Sequence, residues 1–105
     1  MRAKHALLMI AFSIPAAHGE AQEIGHAGAG LALAQRLCAQ CHAVHKAEPN
    51  SPNKDSPSFA VIASVPGMTA MALSAALNSS HRSMPNVMLE HDERNDVIAY
   101  ILSLK

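Results

Sequence analysis

Cys38-Ala39-Gln40-Cys41-His42 is the stretch on which the reading of this chain turns. A Cys-x-x-Cys-His run is the pattern for covalent haem attachment. Residues three and four apart share a helix face, so Cys38, Cys41 and His42 are expected to point the same way. Two thiols so placed can add across the two vinyl groups of a porphyrin, while the neighbouring imidazole reaches the iron from one side. The chain has 2 cysteines, and both belong to this run.

Three other chemistries use similar residues. A thioredoxin-like thiol pair belongs in a βαβ context, and no strand alternation is visible here. A structural zinc site needs four ligands. Cys38 and Cys41 would have to recruit His42 or His45 and then the distant His81 or His91, which matches no common spacing. A disulfide across two intervening residues would cross-link almost nothing. Haem is the favoured reading, with thiol redox and zinc as the alternatives.

The surrounding composition agrees with a bound cofactor. At 105 residues the chain holds one small domain. Its start has the pattern of a secretory signal peptide: Arg2 and Lys4, an apolar run from Ala6 to Ala17, then small residues at Ala17, Gly19 and Ala21. That run is shorter than the roughly 20 residues needed to cross a bilayer. Residues 1–21 are therefore expected to be a leader cut after Gly19 or Ala21, giving an exported, periplasmic protein with no stable membrane insertion. Residues 22–29 read as a flexible Gly- and Ala-rich lead-in, and 30–105 as the folded domain. Beyond the leader, Phe59 and Tyr100 are the remaining aromatics and there is no Trp. Small domains often need a metal or cross-links to complete a core, and a flat porphyrin would serve.

The charge balance excludes one class of partner. Lys and Arg number 8 against 8 Asp and Glu, with no basic face suited to nucleic acid.

The periodicity predicts an all-α domain. Gly30 to Ala39 reads as a first helix running into the Cys-x-x-Cys-His motif. Ala47 to Pro57, with three prolines, reads as a loop. Ser56 and Pro57 suit an N-cap and first helical residue for a short helix to Ala63, with Phe59 and Ile62 on one side. Thr69 can cap a third helix to about Leu77, with Leu73 and Leu77 on its apolar stripe. The last helix begins between Glu90 and Asp92, and Val97, Tyr100, Ile101 and Leu104 follow the i, i+3, i+4, i+7 pattern of a buried face.

A haem held by His42 has a sixth coordination position. Met84, in an irregular segment and followed by the rigid Pro85, is the best candidate. A Met partner raises the reduction potential relative to a second His. His81 is the rival in the same segment. Met68, Met71 and Met88 suit the commoner role of core filler, and His26, His45 and His91 read as surface histidines.

From Gly30 to Lys105 the chain resembles class I cytochrome c, particularly small exported bacterial monohaem proteins. The resemblance rests on Gly30 ahead of the motif, CAQCH itself, Ser56-Pro57-Ser58-Phe59, and Ser83-Met84-Pro85-Asn86 followed by Asp96-Val-Ile-Ala-Tyr-Ile-Leu. It implies about four helices, the first and last crossing, around one covalent haem c. It further implies thioether bonds at Cys38 and Cys41, with His42 and Met84 as axial ligands of the iron. Pro57 would accept from the His42 imidazole, the contact that orients such a ligand, and Phe59 would pack on the haem. Gly30 would allow close crossing by the last helix at Val97 and Tyr100. The implied function is a monomeric, non-enzymatic one-electron carrier serving an oxidase, reductase or dehydrogenase in an exported respiratory or redox chain. The alternative is a haem c enzyme or gas or redox sensor with a labile distal ligand, peroxidase-like in chemistry.

Three positions depart from the family pattern. Ala34 stands where many relatives carry an aromatic, predicting a looser helix crossing. Glu90 replaces the usual Ser or Thr cap, moving the expected helix start toward Asp92. No Trp or evident Arg suits the haem propionates, leaving Ser58, Arg82 and Asn86 as candidates.

Overall fold

A computed structural model describes residues 12–13, 24–79, 81 and 83–105. Residues 1–21, expected to be a signal peptide, lie outside the described residues apart from Phe12 and Ser13, as does Arg82. Among the described residues four helices follow one another: α1 (Ala27–Leu37), α2 (Phe59–Ser64), α3 (Ala70–Leu77) and α4 (His91–Leu102). Among the described residues no strand forms, and one isolated bridge pairs His81 with Met84.

The first and last helices make the principal packing, and α2 and α3 also lean on α4. Their crossing depends on the absence of a side chain. A Cβ on Gly30 would overlap the Asp96 carbonyl and lie 2.9 Å from Tyr100 Cβ, so only glycine permits this approach. Ala34, one turn on, is fully buried. The crossing is therefore close, correcting the expectation that Ala34 would loosen it. A small residue lets the backbones approach where an aromatic would hold them apart.

α1 starts at Ala27, so residues 27–29, expected in the lead-in, are helical. The cause is tertiary. Asp96 Oδ1 on α4 accepts from the His26 backbone N–H at 2.8 Å, satisfying one of the orphan donors at the helix start, while Gly25 is buried against α4. The ring of His26 is itself exposed.

Local chemistry explains the other helix starts. Thr69 accepts from Ala72 N–H at 3.1 Å, an N-cap worth about 1 kcal/mol. The cap of α2 is Ser58, which accepts from Val61 N–H at 3.1 Å. The expected Ser56 cap is thus displaced by two residues, because Pro57 is needed outside the helix, where its carbonyl has another partner. At α4, Glu90 is the N-cap residue, and the Glu93 carboxylate accepts from the Glu90 N–H at 3.0 Å, the reaching-back half of a capping box. The start is His91, not Asp92.

The core joins Leu33 and Ala34 of α1, Val44, Phe59 and Ala63 of α2, Leu73 of α3, and Val97, Ile98, Tyr100 and Ile101 of α4. Ile62, Leu77 and Leu104 pack on it from the edge. At the far end, Lys105 Nζ donates to the Met68 carbonyl at 2.6 Å, tying the C-terminus to the turn before α3.

Candidate cofactor site around His42

α1 ends one residue before the motif, and Cys38 is its C-cap, donating to the Ala34 carbonyl at 2.8 Å. Cys38, Cys41 and His42 are therefore not within a helix, as the spacing suggested. They occupy a following turn in which the Cys38 carbonyl accepts from Cys41 N–H at 3.1 Å and His42 N–H at 2.9 Å. Those bonds preserve the helical spacing that the chemistry requires. Both thiols are free and half-buried. Burial pushes the Cys38 thiol above its ordinary value, whereas a reactive Cys-x-x-Cys pair needs a lowered one.

The loop after the motif is folded back onto it. Asn53 N–H donates to the Cys41 carbonyl at 3.1 Å, and Phe59 N–H to the Ala43 carbonyl at 2.9 Å. Ala43 N–H in turn donates to Ser51 Oγ at 3.0 Å. These ties deliver Pro57 to His42, whose Nδ1 lies 2.6 Å from the Pro57 carbonyl oxygen. A carbonyl can only accept, so the proton of this bond sits on Nδ1. In the neutral ring Nε2 then keeps its lone pair, the state a metal-bound imidazole requires.

Two aromatic rings back this histidine. The Phe59 ring centroid is 5.6 Å from that of His42, with the planes at 50°, and Tyr100 lies 6.3 Å beyond Phe59 at 52°. Tyr100 Oη donates to the Val44 carbonyl at 2.5 Å, so α4 grips the strand of chain leaving His42. Burial, and secondarily the Glu48 carboxylate, raise the Tyr100 hydroxyl above its ordinary value.

The structure thus brings Cys38, Cys41, His42, Pro57 and Phe59 to one region. Met84 belongs to another segment, the connection between α3 and α4. It is half-buried, and its N–H donates to the His81 carbonyl at 3.2 Å across a turn in which Ser83 adopts φ +63°. Met84 is absent from the hydrophobic cluster, whereas Met68 packs on it. Met71 and Met88 are 82% and 84% exposed, so the core-filler role expected of them is corrected. Neither belongs to the core cluster. His81 is exposed. Of the propionate candidates, Ser58 is buried and spent on capping α2, and Asn86 is exposed with its amide 3.9 Å from Met88 Sδ.

Sequence reasoning passed over Ser51, Asn53 and Arg94. The first two looked like ordinary loop polarity, and their role depends on where the loop closes. Arg94 resembled any surface charge near a helix start, yet its Nε is buried.

The residues around His42 suit an attached porphyrin: an oriented imidazole with a free Nε2, two unbridged thiols and an aromatic wall. Among the described residues no three His, Cys, Asp or Glu converge to hold a metal ion by themselves, so the zinc reading gains no ligand set. Comparison with known proteins agrees. The cytochrome c family profile matches residues 27–105, and the chain belongs to the cytochrome c family. It is similar to cytochrome c-552 of Bradyrhizobium diazoefficiens, 35% identical over 98 residues, covering 93% of this chain and 90% of the relative. No solved structure matches the chain. The fold is the all-α class I cytochrome c fold, its cofactor is a covalently bound haem c with iron, and the protein is an electron carrier that works with redox partners. Among the described residues no helix is long and apolar enough to cross a membrane.

Proposed function

We propose that this cytochrome is an exported, monomeric one-electron carrier, not an enzyme, whose haem is linked to Cys38 and Cys41 and ligated by His42 and Met84. It would act in the periplasm, within a respiratory or related redox chain, between donor and acceptor proteins such as a dehydrogenase, reductase or oxidase. The observation that carries the reading is the 2.6 Å bond from His42 Nδ1 to the Pro57 carbonyl. When bound, the haem supplies the Fe(III)/Fe(II) couple.

The protein's own residues do the remaining work. Cys38 and Cys41 would hold the haem as thioethers, each by addition of its S–H across one vinyl group, which would leave neither thiol free. Pro57 holds the imidazole in one tautomer and one orientation and raises its basicity as a ligand. Phe59 and the packed α1–α4 pair exclude water from that side, which reduces the rearrangement accompanying each change of charge. The Met84 thioether, a neutral and polarisable donor, would favour the reduced state and close the second axial position to outside ligands.

Two measurements test this. Haem colour must stay with the chain after denaturation in acid organic solvent and be lost when Cys38 and Cys41 are both replaced by Ala. The oxidised protein must show the long-wavelength sulfur-to-iron(III) charge-transfer band, and Met84→Ala must remove it and admit carbon monoxide to the reduced iron. A Met84→Ala protein that stayed low-spin without added ligand would move the assignment to His81.

A further inference from the structure

Between the end of α3 and the start of α4 lies a cavity of about 180 Å³, walled by Leu77 and Asn78, by segment 86–89 and by Arg94. The segment carries the chain from Met84 into α4, and among the described residues Pro85 to Leu89 make no backbone hydrogen bond. Leu89 packs on the core, but among the described residues no backbone hydrogen bond fixes the path between it and Met84.

Arg94 stands at this gap. Its Nη1 donates to Oδ1 of Asn78, the residue that closes α3, at 3.2 Å. Its Nε is buried without a hydrogen-bond partner. No carboxylate among the described residues lies within ion-pair distance of the guanidinium. A buried cationic N–H left unsatisfied is costly, so the position of this guanidinium is held by its other nitrogens. Nη2 is not buried, and a polar cavity of this size can hold water, which needs two or more polar partners.

We propose that Arg94 is a positioning residue for Met84: anchored on Asn78 through Nη1, its guanidinium lines the cavity under segment 86–89, and the Nη2 edge reaches the otherwise unbonded backbone of that segment through cavity water and holds Met84 at the iron. This rests on the assignment of Met84 as the distal ligand. The guanidinium suits the task because its donors form a rigid fork, one edge for Asn78 and another for the cavity, which a lysine ammonium cannot reproduce. Its effect is on how readily the thioether leaves, not on attachment of the haem.

The test is an optical titration of the oxidised holoprotein with imidazole, which competes with Met84 for the iron. Arg94→Gln should bind imidazole about tenfold more tightly than the unsubstituted protein, the order expected on losing a charged hydrogen bond. Arg94→Lys should fall between the two. Asn78→Ala, which removes the other end of the strut, should shift in the same direction, and it carries the test if Arg94→Gln does not fold. Thr69→Ala, which removes the cap of α3 at its opposite end, provides a destabilised control with unchanged imidazole affinity. Equal affinities in Arg94→Gln, Thr69→Ala and the unsubstituted protein would overturn the inference while leaving Met84 in place. Lack of the sulfur-to-iron band in the unsubstituted protein would instead overturn the Met84 assignment, and this inference with it.

Discussion

The hydroxyl of Tyr100 donates to the carbonyl of Val44 at 2.5 Å, joining residues 56 apart in the chain within the buried interior. Val44 is two residues beyond His42, so this bond anchors the segment that carries the histidine to the helix that closes the fold.

Tyr100→Phe keeps the ring against Phe59 but leaves the Val44 carbonyl without its donor. An unsatisfied buried acceptor costs about 1–3 kcal/mol. Denaturant unfolding should show that loss as a lower midpoint with an unchanged slope, since the surface exposed on unfolding is the same.

Alkaline pH should act through the same residue. An unfolded tyrosine ionises near 10.0, and in the fold burial and then Glu48 hold Tyr100 protonated to higher pH. The unfolded state therefore loses its proton first, so stability is full below that value and declines as pH rises above it. Because the chain has 1 Tyr, tyrosinate absorbance measured against Tyr100→Phe as blank should appear together with unfolding. A tyrosinate signal preceding loss of helix would contradict the buried hydroxyl.

Two glycines of α1 should respond in opposite directions to Ala. Gly30→Ala drives a methyl into the Asp96 backbone and should destabilise by about 3 kcal/mol, the upper end of the usual overpacking range. A Cβ at Gly28 would meet nothing within 4 Å, so Gly28→Ala should stabilise by about 0.5–1 kcal/mol through helix propensity alone. Thermal unfolding of the pair separates the crossing from propensity.

Ser58→Ala removes the cap of α2 at the residue following Pro57. A loss of about 1 kcal/mol is expected, and Ser58→Asp, which also accepts from N–H groups, should recover part of it. Equal stability in all three proteins would show that α2 is held by Phe59 and Ala63 alone.

What could be read in advance follows the range of the interactions. The Thr69 cap, the Leu73–Leu77 stripe and the buried face at Val97, Tyr100 and Ile101 were legible because each is set within one or two helical turns. The misplaced cap of α2 had a different cause. Ser56 and Ser58 are equivalent cap candidates locally, and only the bond between Pro57 and His42 places the proline outside the helix. Ala34 misled similarly: residue size predicts how much surface is buried, but the approach of two helices depends on what faces them, here Gly30.

By itself the sequence determined the chemistry on offer: two thiols and an imidazole at fixed spacing, and the helical periods around them. Those are local properties, carried by the residues wherever the chain goes. The tertiary structure alone decided the state of that imidazole, because the carbonyl that accepts from Nδ1–H and so leaves Nε2 free comes from a loop whose return path is set by Ser51, Asn53 and the Phe59 backbone. It alone placed Arg94 at the gap beside segment 86–89, since burial of a single guanidinium nitrogen depends on three chain segments meeting.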